Sequence, residues 1–240
     1  MLYGFSAFCQ SGQLYQAAFN GESYEYGFTS IPVIDIVNAP EDTDWERWSL
    51  LFDGDTYRLY FMPIGRSDKL YQFGFNPATS AYEYGHRSTP VIPIIGLPDD
   101  ANVTGFSMLH DGIDYRLYFM TSDKSKVYQC AYNSNAEGGA AYEFGYRSAP
   151  EISIIDAPYD TDWRSWSMLH DGNVYRLYLK STADGNALYQ FGFDGSAYTY
   201  GYRSTPIIRI KGMPRQKYVR KFNLTHDGQD YRYYNLKKPD

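Results

Sequence analysis

The 240-residue chain repeats one pattern four times. Leu-Tyr-Gln begins at Leu14, Leu70 and Leu188, and Val127 opens the remaining copy. An aromatic phrase follows each: Tyr24-Glu25-Tyr26-Gly27, Tyr82-Glu83-Tyr84-Gly85, Tyr142-Glu143-Phe144-Gly145 and Tyr198-Thr199-Tyr200-Gly201. Prolines stand at 32, 90, 150 and 206, with a second one eight residues later each time, at 40, 98, 158 and 214. An apolar run then ends in Asp-Gly at Asp53, Asp111, Asp171 and Asp227, and Tyr-Arg follows at Tyr57, Tyr115, Tyr175 and Tyr231. The first prolines are spaced by 58, 60 and 56 residues. A period of this size restricts the chain to architectures in which one supersecondary unit is stacked or arranged in a ring.

Each unit reads as four short strands. In the third they are 166–170, 175–179, 188–193 and 197–202. Aromatic and β-branched enrichment, stretches of period two and Asp-Gly turns all favour strands. No segment carries a sustained helical period with caps. The expectation is an all-β protein, a four-bladed β-propeller of four antiparallel strands per blade. Starting each blade at the strand before Asp-Gly gives continuous blades at about 48–89, 106–148 and 166–204. The fourth joins 222–236 to 14–29, which closes the ring and removes free sheet edges. Leu2–Phe8 is left over, as an added strand or a cover for one end. A β-sandwich pair and a flat tandem array are the alternative folds.

Ring geometry accounts for the 26 tyrosines. Four sheets about one axis splay widely, and large side chains must fill the wedges. Most Tyr and Phe are therefore expected in the core. Small residues recur in the third strand at Ala18, Gly74, Ala131 and Gly192, where a ring from the next blade could approach. In repeat number and strand order the chain resembles the hemopexin-like four-bladed propellers. The resemblance is architectural only: the aspartate-alanine start of the hemopexin repeat is missing, so no functional residue is carried over. The Asp-Gly turn is also similar to the first hairpin of WD-type blades, whose Trp-Asp ending is likewise missing.

Net charge is −6 and the pI is about 5.2, which speaks against nucleic acid or an anionic membrane surface as partner. No apolar run approaches the roughly 20 residues of a membrane helix. The first residues show no signal peptide. Cys9 and Cys130 make neither a disulfide framework nor a zinc site. A cytoplasmic location is the expectation from these features.

Three of the four histidines, His110, His170 and His226, precede Asp-Gly, where the first unit has Phe52. If the inner strands line the axis, three imidazoles converge at one channel mouth, a composition that can hold a metal ion. The competing reading is that each bonds locally within its hairpin, leaving no cofactor. The pairs Asp53 with Arg58, Asp111 with Arg116, Asp171 with Arg176 and Asp227 with Arg232 read as hairpin latches. Arg87, Arg147 and Arg203 recur at the end of the outer strand and read as structural or solvated.

The connections between blades differ. Units one and three carry Asp42-Thr43-Asp44-Trp45 and Asp160-Thr161-Asp162-Trp163, whereas units two and four carry Asn102-Val103-Thr104-Gly105 and Lys217-Tyr218-Val219-Arg220. Alternation places two acidic–tryptophan corners opposite each other, a plausible platform for sugar or a cationic ligand. Asp42, Asp44, Trp45, Asp160, Asp162 and Trp163 are the candidate ligand residues, with both indoles partly exposed. In the competing reading, the two tryptophans plug wedges and Asp-Thr-Asp forms a turn.

The chain has no phosphate loop, nucleophile elbow, zincin or dinucleotide fingerprint. The Asp-x-Asp pieces lack the rest of a helical calcium loop. The expected function is a non-enzymatic, lectin-like module binding carbohydrate or another small ligand. The alternatives are a protein-interaction scaffold and a metal-dependent enzyme centred on the three histidines.

Overall fold

The computed structural model describes residues 10–214 and 220–239; Leu2–Phe8, Cys9 and Lys217-Tyr218-Val219 lie outside them. The described residues form twenty strands and no helix. In chain order these are β1 (Gln10–Phe19), β2 (Ser23–Tyr26) and β3 (Val33–Ala39), then β4 (Thr43–Phe52), β5 (Tyr57–Pro63), β6 (Lys69–Asn76), β7 (Ala81–Tyr84) and β8 (Val91–Ile95). There follow β9 (Ala101–His110), β10 (Tyr115–Thr121), β11 (Lys126–Asn133), β12 (Ala141–Phe144) and β13 (Glu151–Ile155). The last are β14 (Thr161–His170), β15 (Tyr175–Ser181), β16 (Ala187–Phe193), β17 (Ala197–Tyr200), β18 (Ile207–Lys211), β19 (Phe222–His226) and β20 (Tyr231–Lys237).

Within a unit, β4, β5, β6 and β7 pair antiparallel in sequence order, as do β9 to β12 and β14 to β17. The remaining strands combine both ends of the chain, β19 on β20, β20 on β1 and β1 on β2.

The expected loop between units contains a fifth strand. The start of β6 pairs with β8, which then runs parallel to β12 of the next unit. The same holds for β3 with β7, β13 with β17 and β18 with β2. Four strands per unit therefore becomes five. The physical signal is period-two burial: Ile34 and Ile36, Ile92 and Ile94, Ile152 and Ile154, and Ile208 and Ile210 are buried, around solvent-facing Asp35, Pro93, Ser153 and Arg209. Flanking prolines obscure that pattern in the sequence.

Side chains join the units in two further circuits. Near the axis, each inner strand donates a backbone N–H to the strand before it: Met108 to Ser49 Oγ (2.8 Å), Met168 to Ser107 Oγ (2.9 Å), Leu224 to Ser167 Oγ (2.9 Å) and Leu50 to Asn223 Oδ1 (3.2 Å). Each of these acceptor residues is fully buried. Further out, the tyrosine of Tyr-Arg donates to the turn aspartate of the preceding unit: Tyr57 to Asp227, Tyr115 to Asp53, Tyr175 to Asp111 and Tyr231 to Asp171, at 2.7–3.1 Å. The neighbouring arginine donates Nε to the aspartate of its own hairpin in all four units. The recurrence of Asp-Gly and Tyr-Arg is thus a stitching requirement, with the arginine inside a unit and the tyrosine between units. Sheets radiating from a common axis give a β-propeller organisation.

Four apolar clusters fill the wedges between successive sheets, and Tyr24, Tyr60, Tyr82, Tyr118, Tyr142, Tyr178 and Tyr198 are nearly inaccessible in them. The two third-strand glycines serve a different neighbour from the expected ring. A Cβ on Gly74 would sit 2.1 Å from the carbonyl oxygen of His86, and one on Gly192 2.2 Å from that of Tyr202. The outer turn of the same unit folds back onto these glycines.

Candidate functional site

The acidic–tryptophan corners are not equivalent. An irregularity in the inner strand falls between Asp44 and Trp48, and between Asp162 and Trp166, which takes Trp45 and Trp163 off the ladder. Trp45 is nevertheless only 7% exposed. Its ring covers Gly12, where an added Cβ would lie 2.5 Å from the indole, and its N–H donates to Gln10 Oε1 (2.5 Å). Trp163 is half-buried against the third core cluster. The expectation of two partly exposed indoles therefore fails at Trp45, because β1 begins early enough to lie across it.

The aspartates of these corners are engaged by the protein itself. Asp42 accepts the Tyr71 hydroxyl (2.9 Å), and Asp160 accepts Tyr189 (2.7 Å) and Ser181 (2.5 Å). Asp100 accepts Tyr128 (2.8 Å) at the same position of unit two, so this contact also occurs where no tryptophan follows. Asp44 accepts from Arg47 Nε (2.7 Å), whose guanidinium also donates to the carbonyls of Pro63 and Arg66. Asp162 lies 3.7 Å from both Arg164 Nε and Arg220 Nε, beyond hydrogen-bond length.

His110, His170 and His226 do gather with Phe52 at one channel mouth, around a cavity of about 20 Å³. Each imidazole packs on the tyrosine across its hairpin, with centroids 4.6, 4.4 and 4.5 Å from Tyr115, Tyr175 and Tyr231. Burial draws the His170 pKa down despite the nearby Asp111 carboxylate. Among the described residues no group of three or more His, Cys, Asp or Glu is arranged to hold a metal ion. Burial pushes the Cys130 thiol up to about 12, so it is not a nucleophile at neutral pH.

The far end of the axis is occupied by Lys221. It is 3% exposed, donates to the Phe106 carbonyl and lies 5.3 and 5.1 Å from the Phe106 and Trp166 ring centroids. Burial pulls the ammonium from its ordinary 10.5 to about 7. The unfolded chain therefore binds the proton more tightly between those values, and stability rises with pH from about 7 towards 9. Lys221→Met is expected to flatten that rise in urea-unfolding curves at pH 7 and pH 9. An unchanged pH slope would show that the ammonium remains charged when folded.

The sequence reading missed a set of clefts where one unit meets the next, at the Asp-Gly end of the sheets. One, of about 250 Å³, is lined by Arg58, Gln72, Arg87 and Ser88 against Tyr115, Tyr132 and Tyr142 of the next unit. Another, of about 290 Å³, repeats it with Arg176, Gln190, Arg203 and Ser204 against Tyr231, Phe19 and Tyr24. A third, of about 350 Å³, has Arg232, Gln16, Thr29 and Ser30 against Tyr57, Phe75 and Tyr82. The hydroxyls of Ser30, Ser88, Ser148 and Ser204 are buried and have no hydrogen-bond partner among the described residues. The preceding residues Thr29, Arg87, Arg147 and Arg203 all hold positive φ, 44–46°. With its amide turned to satisfy both groups, Gln190 accepts from Arg176 Nη1 (2.8 Å) and donates to the Thr205 carbonyl.

The cleft arginines alternate. Arg116 and Arg232 donate Nη2 to a second carboxylate, Asp114 (3.1 Å) and Asp230 (2.9 Å). Thr56 and Val174 stand at that position beside Arg58 and Arg176, which lack the second carboxylate. A planar donor, an amide and aromatic rings, of which Tyr115, Tyr231 and Tyr57 are half-buried, around a small open cleft suit a polyhydroxylated ligand. The signal was present in the sequence as the recurrent Arg-Ser after the outer strand, but only the packing of adjacent units brings it to the Tyr-Arg arginine.

No protein-family model matches the chain, and no curated protein matches it. Among solved structures it is similar to AofleA from Arthrobotrys oligospora, at 11% identity and a TM-score of 0.39, over 90% of this chain and 64% of that one. It is similar to the SapL1 lectin solved with alpha methyl fucoside, at 15% identity and 0.35, over 87% and 60%. It is also similar to the fungal lectin of Aleuria aurantia, described as a six-bladed β-propeller with a fucose recognition mode, at 14% identity and 0.42, over 90% and 68%. The chain thus spans less than two thirds of the length of the first two.

Proposed function

We propose that the chain is a closed four-bladed β-propeller that binds carbohydrate without catalysing a reaction. Its blades are about 48–89, 106–148 and 166–204, with the fourth made from 222–236 and 14–29. The blade count is supported by three circuits of contacts that each return to their start after four units. The ligand sites are the clefts between blades. The observation that carries this reading is the set of repeat-equivalent serines, each with a buried hydroxyl that the protein leaves unpaired. A buried hydroxyl without a partner costs about 1–3 kcal/mol, and a ligand hydroxyl that reaches it as the outer turn yields recovers that cost. Arg58 and Arg176 mark the two clefts with the most donor capacity to offer. Of the acidic–tryptophan corners, Trp163 with Asp162 remains available to a ligand, and Trp45 belongs to the core.

The test combines a glycan array with replacement of Ser30, Ser88, Ser148 and Ser204 by alanine. Wild type is expected to bind a neutral monosaccharide-terminated glycan, and the quadruple variant to bind it at least about tenfold more weakly. The variant's melting temperature should hold or rise, since unpaired polar atoms are removed. Loss of stability with binding intact would make the serines structural and the clefts irrelevant. A blank array for the wild type would favour the protein-scaffold reading.

A further inference from the structure

At the opposite end of the sheets, one wedge differs from the other three. The sixth residue of the second strand faces the fifth residue of the second strand in the next unit. Three wedges pair apolar residues there: Met62 with Phe119, Met120 with Leu179, and Leu236 with Phe61, all buried in their clusters. Between units three and four the pair is Lys180 with Asn235. Apolar filling is absent at that place, and a cleft of about 590 Å³ opens. Arg164 and Arg220 reach its rim, at positions held by Glu46 and Thr104 in the other units.

The charge in this cleft is out of balance. Lys180 rests over the Phe222 and Tyr233 rings, at 5.3 and 5.7 Å from their centroids, and makes no ion pair among the described residues. Among the described residues Asp162 is the single carboxylate in the lining, and it answers two guanidinium groups at 3.7 Å without a hydrogen bond to either. Among those residues three cations stand against one anion, on a chain whose net charge is −6. The Tyr233 hydroxyl donates to Asn235 Oδ1 (2.9 Å), so the amide nitrogen of Asn235 is the end left to donate. Where the three other wedges pair two apolar residues, this one has exchanged both for donors, at a cost in wedge packing.

We propose that this cleft binds the oxyanion of a small ligand, a carboxylate, phosphate or sulfate group held by Lys180, Arg164, Arg220 and Asn235. The site is separate from the clefts near the Asp-Gly turns and does not depend on what they bind. Asp162 sets the spacing of the two arginines, and an incoming oxyanion takes the hydrogen bonds that Asp162 is too distant to accept.

Isothermal titration of the full chain at low ionic strength with inorganic phosphate, sulfate and glucuronate tests the site. Saturable one-to-one binding of at least one of these is expected, weakening steeply as salt is added. Preference for glucuronate points to an acidic sugar, and preference for phosphate or sulfate to an ester group. Lys180→Met restores the residue of units one and two; it should keep or raise the melting temperature and weaken binding by about 10–100-fold. Arg220→Gln should weaken binding with little effect on melting. If none of the three anions binds at 10 mM or below (about the weakest affinity worth the name), the proposal is wrong. It is equally wrong if both variants bind as the wild type does.

Discussion

Asp111→Ala is expected to destabilise the protein by about 3–5 kcal/mol in urea unfolding, far more than an exposed ion-pair residue. The Asp111 carboxylate, 4% exposed, accepts four bonds. Its Oδ1 takes the backbone N–H of Ile113 (3.0 Å) and Asp114 (2.7 Å); its Oδ2 takes Arg116 Nε (2.5 Å) and the Tyr175 hydroxyl (2.7 Å). Removing it opens the turn, frees the tyrosine of the next unit and leaves Arg116 shielded without its principal counter-charge. Glu151→Ala is the comparison, since the Lys126–Glu151 pair is more than 40% exposed on both sides and should cost at most about 1 kcal/mol. A loss at Asp111 no larger than at Glu151 would mean that the latch adds nothing to the fold.

The same carboxylate gives the effect a pH dependence. Burial alone would raise the Asp111 pKa, but the backbone bonds, Arg116 and Tyr175 outweigh it and hold the group well below the usual carboxylate range. Asp53, Asp171 and Asp227 are lowered as well. A depressed folded-state pKa means stabilisation that is complete above the unfolded value near 4 and is lost as pH falls through the folded one. The gap between wild type and Asp111→Ala should therefore narrow below about pH 4. With four such groups, wild-type acid unfolding should be steep.

Deletion of residues 222–240 is expected to abolish the cooperative melting transition. It removes β19 and β20, and with them one of the three partners of β1, the Asn223 bonds to Ser49 and Leu50, and the Tyr231 bond to Asp171. Leu14, Ala17 and Tyr24 would lose the neighbours that bury them, and one edge of β1 would be left unpaired. Thermal melting by circular dichroism, with amide exchange across β1, measures the result. A truncated chain that melts cooperatively at the full-length temperature would show that the ring does not need its last sheet. Asn223→Ala is the milder version and should lower the melting temperature while keeping a single transition, because backbone pairing of β19 and β20 survives it.

Class and local pairing were legible from the sequence because they depend on near neighbours. Alternation of apolar residues makes strands, Asp-Gly makes hairpins, and Arg58 reaches Asp53 within one hairpin. The recurrent Tyr-Arg was visible, but the bond from Tyr115 to Asp53 crosses to the preceding unit, so only the packed ring reveals it. The linker strands were hidden between prolines, since one of their two pairing partners is the outer strand of the next unit and not a local one. Trp45 and Trp163 share the same four-residue phrase, yet one is buried and the other half-buried. That difference comes from β1, more than thirty residues away in sequence from Trp45, lying across one corner with Gln10 and Gly12. Lys180 and Asn235 could each be read as an isolated departure from the repeat. Only tertiary structure decides that they fall opposite each other in one wedge, because burial and charge balance belong to the surface between two units and to neither unit alone.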